Sequence, residues 1–169
     1  MSEKRPLTLA GRLMHYGRYG ADSEDARLGD LTIGYPSLVR GYEPESFSAS
    51  ECTITAEQSL SCPTYDRLFG NRMLVANAEL RLPLLGSLGL IPSRSIPPVE
   101  TALFYDAGMA YRSQEQARAL GIARRPVSSY GGTLQVNVLG YFIAQLSYVH
   151  ANDRPLRRWG WEFGIVPGF

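Results

Sequence analysis

The chain has 169 residues, of which 44% are apolar and 20% are charged. Its 17 Lys and Arg residues nearly balance its 16 Asp and Glu residues, which leaves a formal net charge of +1. Nucleic-acid-binding modules usually carry a basic excess, so no nucleic-acid partner is expected. Two cysteines are too few for a disulfide scaffold or a four-thiolate zinc site. The length predicts one domain, residues 1–169, with no second domain.

Neither a leader nor a membrane helix is predicted. The first six residues are charged but are not followed by the apolar core of a signal peptide. No run of 18 apolar residues exists that could cross a bilayer as a helix.

Apolar and polar residues alternate with a period of two in six segments. Between Asn71 and Pro83, for example, Leu74, Ala76 and Ala78 occupy one side of the segment. Such alternation predicts strands of a sheet with one apolar face and one polar face. The six predicted strands are Leu7–Tyr16, Asn71–Pro83, Thr101–Tyr111, Tyr130–Val138, Tyr141–Tyr148 and Trp159–Phe169.

The connections between these strands differ greatly in length. Residues 17–70 and 112–127 form long connections, whereas Leu139–Gly140 forms a tight turn, and the only predicted helix is Gln114–Leu120. Alternating long and short connections, strands of about 9–11 residues, and aromatic residues near strand ends are typical of an outer-membrane barrel. A soluble antiparallel barrel or sandwich would give the same period and remains the alternative.

Four sequence blocks occur in an order found in one known family. They are Val39-Arg40-Gly41-Tyr42, Gly70-Asn71 with Glu79-Leu80-Arg81-Leu82-Pro83, Leu103-Phe104-Tyr105-Asp106-Ala107-Gly108, and the aromatic-ended strand Gly164–Phe169. In these blocks the chain resembles the bacterial surface antigen family, the outer-membrane assembly factors grouped as BamA/TamA. The resemblance extends from about Leu7 to Phe169.

The resemblance implies an all-β fold, an antiparallel transmembrane β-barrel segment. Complete barrels of the family contain more strands than these six, so the chain is expected to be the C-terminal portion of a longer barrel in the bacterial outer membrane. Implied partners are the lipid bilayer, the missing N-terminal strands of the parent barrel, the barrel-assembly machinery and client outer-membrane proteins. The implied function is insertion or translocation of outer-membrane proteins. The alternatives are a passive barrel that anchors another domain and a soluble ligand-binding β-barrel.

The same resemblance assigns roles to individual residues. It implies that the loop with Val39, Arg40, Gly41 and Tyr42 folds back inside the barrel, where Arg40 contacts the lumenal carboxylates of Glu79 and Asp106. A guanidinium can bind carboxylates through two parallel hydrogen bonds, which a Lys cannot reproduce. The alternative interpretation is that Arg40 is an ordinary loop arginine on the protein surface. The resemblance also implies a C-terminal assembly signal that comprises Trp161, Phe163 and Phe169.

The remaining reactive residues do not predict catalysis. Ser147 lies three positions from His150 in a predicted strand, so their side chains point to opposite faces. No enzymatic activity, cofactor or metal site is therefore expected. In an oxidising cell envelope Cys52 and Cys62 are predicted to form a disulfide, with metal binding as the less favoured alternative.

Overall fold

The fold is all-β, as predicted. A computed structural model describes residues 7–54, 60–82, 99–112, 125–138, 141–156 and 158–167. Its strands are β1 (Thr8–Gly17), β2 (Leu31–Thr32), β3 (Thr53–Ile54), β4 (Leu60–Ser61), β5 (Phe69–Gly70), β6 (Arg72–Leu82), β7 (Val99–Tyr111), β8 (Val127–Val138), β9 (Phe142–Ala151) and β10 (Trp159–Pro167). Its one α-helix, α1, spans only Pro63–Asp66. Within the described ranges no helix is long and apolar enough to cross a bilayer.

The six long strands form one antiparallel sheet in the order β1-β6-β7-β8-β9-β10. Each strand therefore pairs with the next long strand along the chain. In the described part of the chain, β1 and β10 lie at the two edges and each pairs along one side only. The register places Asn77 of β6 directly opposite Asp106 of β7.

The two faces of this sheet differ in chemistry because neighbouring residues of a strand point in opposite directions. The outer face carries large apolar side chains that are exposed. On the long strands these are Leu9, Leu13, Leu103, Tyr105, Tyr130, Leu134, Phe142, Leu146, Tyr148, Trp159, Trp161, Phe163 and Ile165. The inner face carries smaller and polar residues, among them the buried Asp106, Ser129 and Ser147.

The connection between β1 and β6 supplies the hydrophobic core. It contains the short strands β2–β5, helix α1 and three single-turn 3₁₀-helices, one of which begins with a capping box between Ser48 and Glu51. Ile33, Tyr42 and Leu68 of this connection are fully buried, together with Val75 of the inner face. The core therefore lies between the connection and the inner face, and no described residue of the outer face belongs to it.

Strand bounds differ slightly from those predicted. Strand β7 begins at Val99 and β8 at Val127 because both residues have partners across the sheet, Val136 and Gly108 respectively. Hydrogen-bonded pairing thus extends strands beyond the residues whose polarity alternates. The predicted helix at 114–120, the tight turn at 139–140 and the terminal residue 169 lie outside the described residues.

Candidate functional site

Residues 37–42, here called the inner segment, lie against the inner face of the sheet. The segment begins with a turn in which the backbone N–H groups of Leu38 and Val39 both donate to the carbonyl of Tyr35. Gly41 adopts a φ of +92°, a left-handed conformation that glycine accepts without steric cost. The turn and this glycine direct the chain across the sheet.

Arg40 of the inner segment contacts two carboxylates of the inner face. Its Nε donates to Oδ2 of Asp106 at 2.7 Å, and its Nη2 donates to Oδ1 of the same carboxylate at 2.9 Å. The same Nη2 also donates to Oε1 of Glu79 at 3.0 Å. The backbone N–H of Arg40 donates to Asp106 at 3.3 Å. The structure thus brings the three predicted residues together, with Asp106 bound by the two-pronged fork.

This ion pair is almost completely shielded from water. The side chain of Arg40 is 6% exposed and that of Asp106 is 0% exposed. Burial disfavours the charged guanidinium, but the hydrogen bonds and negative charges of Asp106 and Glu79 outweigh burial and raise the pKa of Arg40. The guanidinium carbon also lies 3.5 Å from the ring centroid of Phe104, a cation–π contact. Arg40 therefore remains charged, and it is contacted by Asp106, Glu79 and the ring of Phe104.

Two further inner-face residues, which sequence reasoning missed, complete this arrangement. Asn77 donates to Oδ1 of Asp106 at 2.8 Å and to the carbonyl of Leu38 at 2.7 Å. Arg12 of β1 donates to Asn77 at 2.9 Å and also to the carbonyl of Ser37. Both residues occupy polar positions of their strands and lie opposite each other in the register. Their position on the polar face was the available signal.

Val39 and Tyr42 fix the segment on either side of Arg40, and both are fully buried. The Tyr42 hydroxyl donates to the carbonyl of Ser128 at 2.7 Å and accepts from the backbone N–H of Asp153 at 3.1 Å. Burial is the main reason that the pKa of Tyr42 rises well above its ordinary value. A Cβ on Gly108 would lie only 2.5 Å from a methyl carbon of Val39, so Val39 packs directly on the backbone of β7.

A second buried ion pair, also missed from the sequence, joins the connection to the turn between β9 and β10. Arg154 and Glu51 form it, with side chains that are 2% and 3% exposed. The Nη1 of Arg154 donates to Oγ of Ser46 at 2.7 Å. Glu51 directly precedes the disulfide between Cys52 and Cys62. The disulfide therefore lies beside the buried pair and closes a loop of the connection.

The other predicted residues lie apart from the inner segment. Trp161 and Phe163 are on the outer face, and the rings of Trp161 and Tyr148 pack at 4.7 Å. Ser147 is buried on the inner face, whereas His150 packs against Tyr130 and Trp159 on the other face. Among the residues that the structure describes, no three His, Cys, Asp or Glu side chains are grouped closely enough to bind a metal ion.

A comparison with protein families identifies the chain. The family model that describes the Omp85 superfamily domain matches residues 23–165 of the chain. The chain belongs to the Omp85 superfamily. Proteins of this superfamily reside in the bacterial outer membrane and act in protein insertion or translocation there. Comparisons with curated proteins and with solved structures give no significant match.

The Omp85 match includes the inner segment, the strands that bear Glu79 and Asp106, and most of β10, but it leaves β1 outside. Arg12, on β1, is thus the one partner of the inner segment described above that lies beyond the matched residues. The contacts of the site hold the structure in place. Buried ion pairs and hydrogen bonds fix a loop on the inner wall of a sheet.

Proposed function

We propose that this Omp85 chain is the C-terminal part of an outer-membrane β-barrel of the BamA/TamA assembly-factor type, and that it contributes to the insertion or translocation of outer-membrane proteins. One observation supports this most strongly. Arg40 in a Val-Arg-Gly-Tyr loop is bound by Asp106 and Glu79 on the inner face of the sheet. A loop fixed in this way inside the barrel gives the inner wall a defined shape, beside which a client protein can be inserted or translocated.

The outer face suits the lipid bilayer as a partner. Leu13, Phe163 and Ile165 are each more than 60% exposed, and burial of apolar surface contributes roughly 25 cal/mol per Å². Aromatic side chains gather near the end of β9 and at the start of β10, with Tyr148 and Trp159 stacked at 4.8 Å. Aromatic girdles of this kind mark the membrane interface in outer-membrane barrels.

The edges of the sheet support the proposal that further strands of a parent barrel complete the structure. In the part of the chain that the structure describes, β1 and β10 each have one strand neighbour and form the two edges of the sheet. In lipid each unsatisfied backbone group costs several kcal/mol, so barrels close. The proposed partners are therefore the parent barrel strands, the barrel-assembly machinery and client proteins, and the proposed role is neither enzymatic nor dependent on a cofactor.

Gene replacement in the native host tests the function. The gene that encodes the chain is replaced by the Arg40→Ala version, with Arg112→Ala as the control because Arg112 forms a half-exposed ion pair with Asp30. We expect Arg40→Ala to lower the amount of folded outer-membrane proteins while the variant itself stays in the membrane. Unchanged assembly of outer-membrane proteins, even after depletion of the protein, would instead identify a passive anchor.

A further inference from the structure

The inner segment contacts every long strand of the sheet. Its partners on β1, β6 and β7 are Arg12, Asn77, Glu79 and Asp106. On β8 the Tyr42 hydroxyl donates to a backbone carbonyl, and on β9 and β10 the contacts are made at Gly41. Arg40 accounts for the contacts with β6 and β7 only. A second anchor therefore lies at Gly41, on the opposite side of the segment.

Two charged side chains of the terminal hairpin, β9–β10, bind the backbone of Gly41 from both sides. The N–H of Gly41 donates to Oε1 of Glu162 at 2.6 Å. The carbonyl of Gly41 accepts from Nη1 of Arg154 at 3.3 Å. A Cβ at this position would lie 3.0 Å from Val149 and 3.1 Å from Ala151, so the backbone packs directly on β9.

Glu162 has a special place on β10. The inner positions of this strand among its described side chains are 160, 162 and 164, and the outer positions 159, 161, 163 and 165 are exposed. Gly160 and Gly164 have no side chain, so Glu162 alone of these three can reach the inner segment. A hydrogen bond to an ionised carboxylate is roughly twice as strong as one between neutral groups.

We propose that Glu162 and Arg154 form a docking site for the Gly41 peptide on the terminal hairpin, and that Glu162 is the positioning residue through which the inner segment holds β10 in the sheet. Within the described residues β10 has one strand neighbour, β9. The attachment of β10 to the sheet then depends on its backbone hydrogen bonds with β9 and on this docking site. The inner segment thus links the terminal strand to the Arg40 anchor on β6 and β7, which adds a role for Glu162 to the proposed function.

Hydrogen exchange of the complete protein in native outer-membrane vesicles, read by mass spectrometry, tests this docking site. The variants are Glu162→Ala, which removes the acceptor, and Glu162→Gln, which keeps the shape and an acceptor oxygen but removes the charge. The control is Glu100→Ala, which removes a carboxylate at the start of β7 that lines a cavity together with Arg40 and Glu79 and is not part of the pocket lined by Gly41 and Glu162.

We expect the amides of β10 and of residues 38–42 to exchange at least about tenfold faster in Glu162→Ala than in the control, with Glu162→Gln in between. The amides of β6 and β7 should keep their protection. Equal exchange of β10 in Glu162→Ala and Glu100→Ala would overturn the proposal. If Glu162→Ala does not accumulate in the membrane, the exchange of β10 in Glu162→Gln is compared with that in Glu100→Ala, and equal exchange would overturn the proposal.

This measurement separates the docking site from the proposed function, on which its biological role rests. Faster exchange of β10 together with normal assembly of outer-membrane proteins would support the docking site and count against the assembly role. Unchanged exchange together with impaired assembly would overturn the docking site and leave the assembly role standing.

Discussion

Removing the Arg40 guanidinium should destabilise the protein more than any exposed substitution. Arg40→Ala leaves the carboxylate of Asp106, which is 0% exposed, without its two-pronged partner. Breaking a buried ion pair by removing one member costs about 3–5 kcal/mol, because the remaining charge stays desolvated. The cation–π contact with Phe104 at 3.5 Å is lost as well, and a desolvated contact of this kind is worth about 2 kcal/mol.

The partners of Arg40 determine how the neighbouring variants should behave. Arg40→Lys should restore only part of the loss, because a point charge cannot bind both oxygens of Asp106 as Nε and Nη2 do. Arg112→Ala, at a half-exposed pair with Asp30, should change the free energy of unfolding by about 1 kcal/mol or less.

A double-mutant cycle measures the coupling directly. Arg40→Ala, Asp106→Ala and the double variant are made in the full-length protein, and the free energy of unfolding is measured in detergent micelles. Residues that share a buried ion pair should show a coupling energy of at least about 1 kcal/mol. Strict additivity would mean that the two side chains do not interact, and the reasoning about the inner segment would fail.

Three further predictions concern the surroundings of Arg40. Gly41→Ala should destabilise by about 1–3 kcal/mol, because φ is +92° and the methyl group would press on Val149; a variant as stable as the original in thermal unfolding would contradict this. Burial raises the pKa of Tyr42, so its contribution to stability is complete below its ordinary pKa of about 10 and is lost as pH rises above that value. Tyr42→Phe should therefore flatten the alkaline limb of a stability–pH curve, and an unchanged slope would exclude Tyr42 as its cause. Cys52→Ser should lower the stability by about 2–3 kcal/mol and speed proteolysis of the connection, whereas free thiols in the untreated envelope protein would show that the disulfide does not form.

The sheet was predictable because its two faces meet different surroundings. A strand between an apolar environment and a packed interior must alternate in polarity, and this alternation is visible in Leu74, Ala76 and Ala78 on one side and Asn77 and Glu79 on the other. The all-β fold and its six long strands are thereby confirmed. Strand ends were less predictable, because pairing across the sheet sets them and polarity does not.

The site was predictable only where a local motif marks it. Arg40 lies in such a motif, and so does Asp106. Glu162 and Arg154 lie in no motif, and their contacts with Gly41 span 121 and 113 residues of sequence. Such contacts depend on the path of the connection through the interior, and the period of a single strand contains no information about that path.

The inner segment lies against the inner face of a sheet that we propose to be in the outer membrane, and cross-linking in intact cells tests this placement most directly. Val39→Cys is combined with Gly108→Cys, since a Cβ on Gly108 would lie 2.5 Å from a methyl carbon of Val39. The control combines Val39→Cys with Ala107→Cys, whose side chain points to the opposite face. We predict that, without added oxidant, the outer-membrane fraction contains the 39–108 disulfide and lacks the 39–107 disulfide. Equal cross-linking of both pairs, or cross-linking of the control pair alone, would contradict the placement of the inner segment against the inner face.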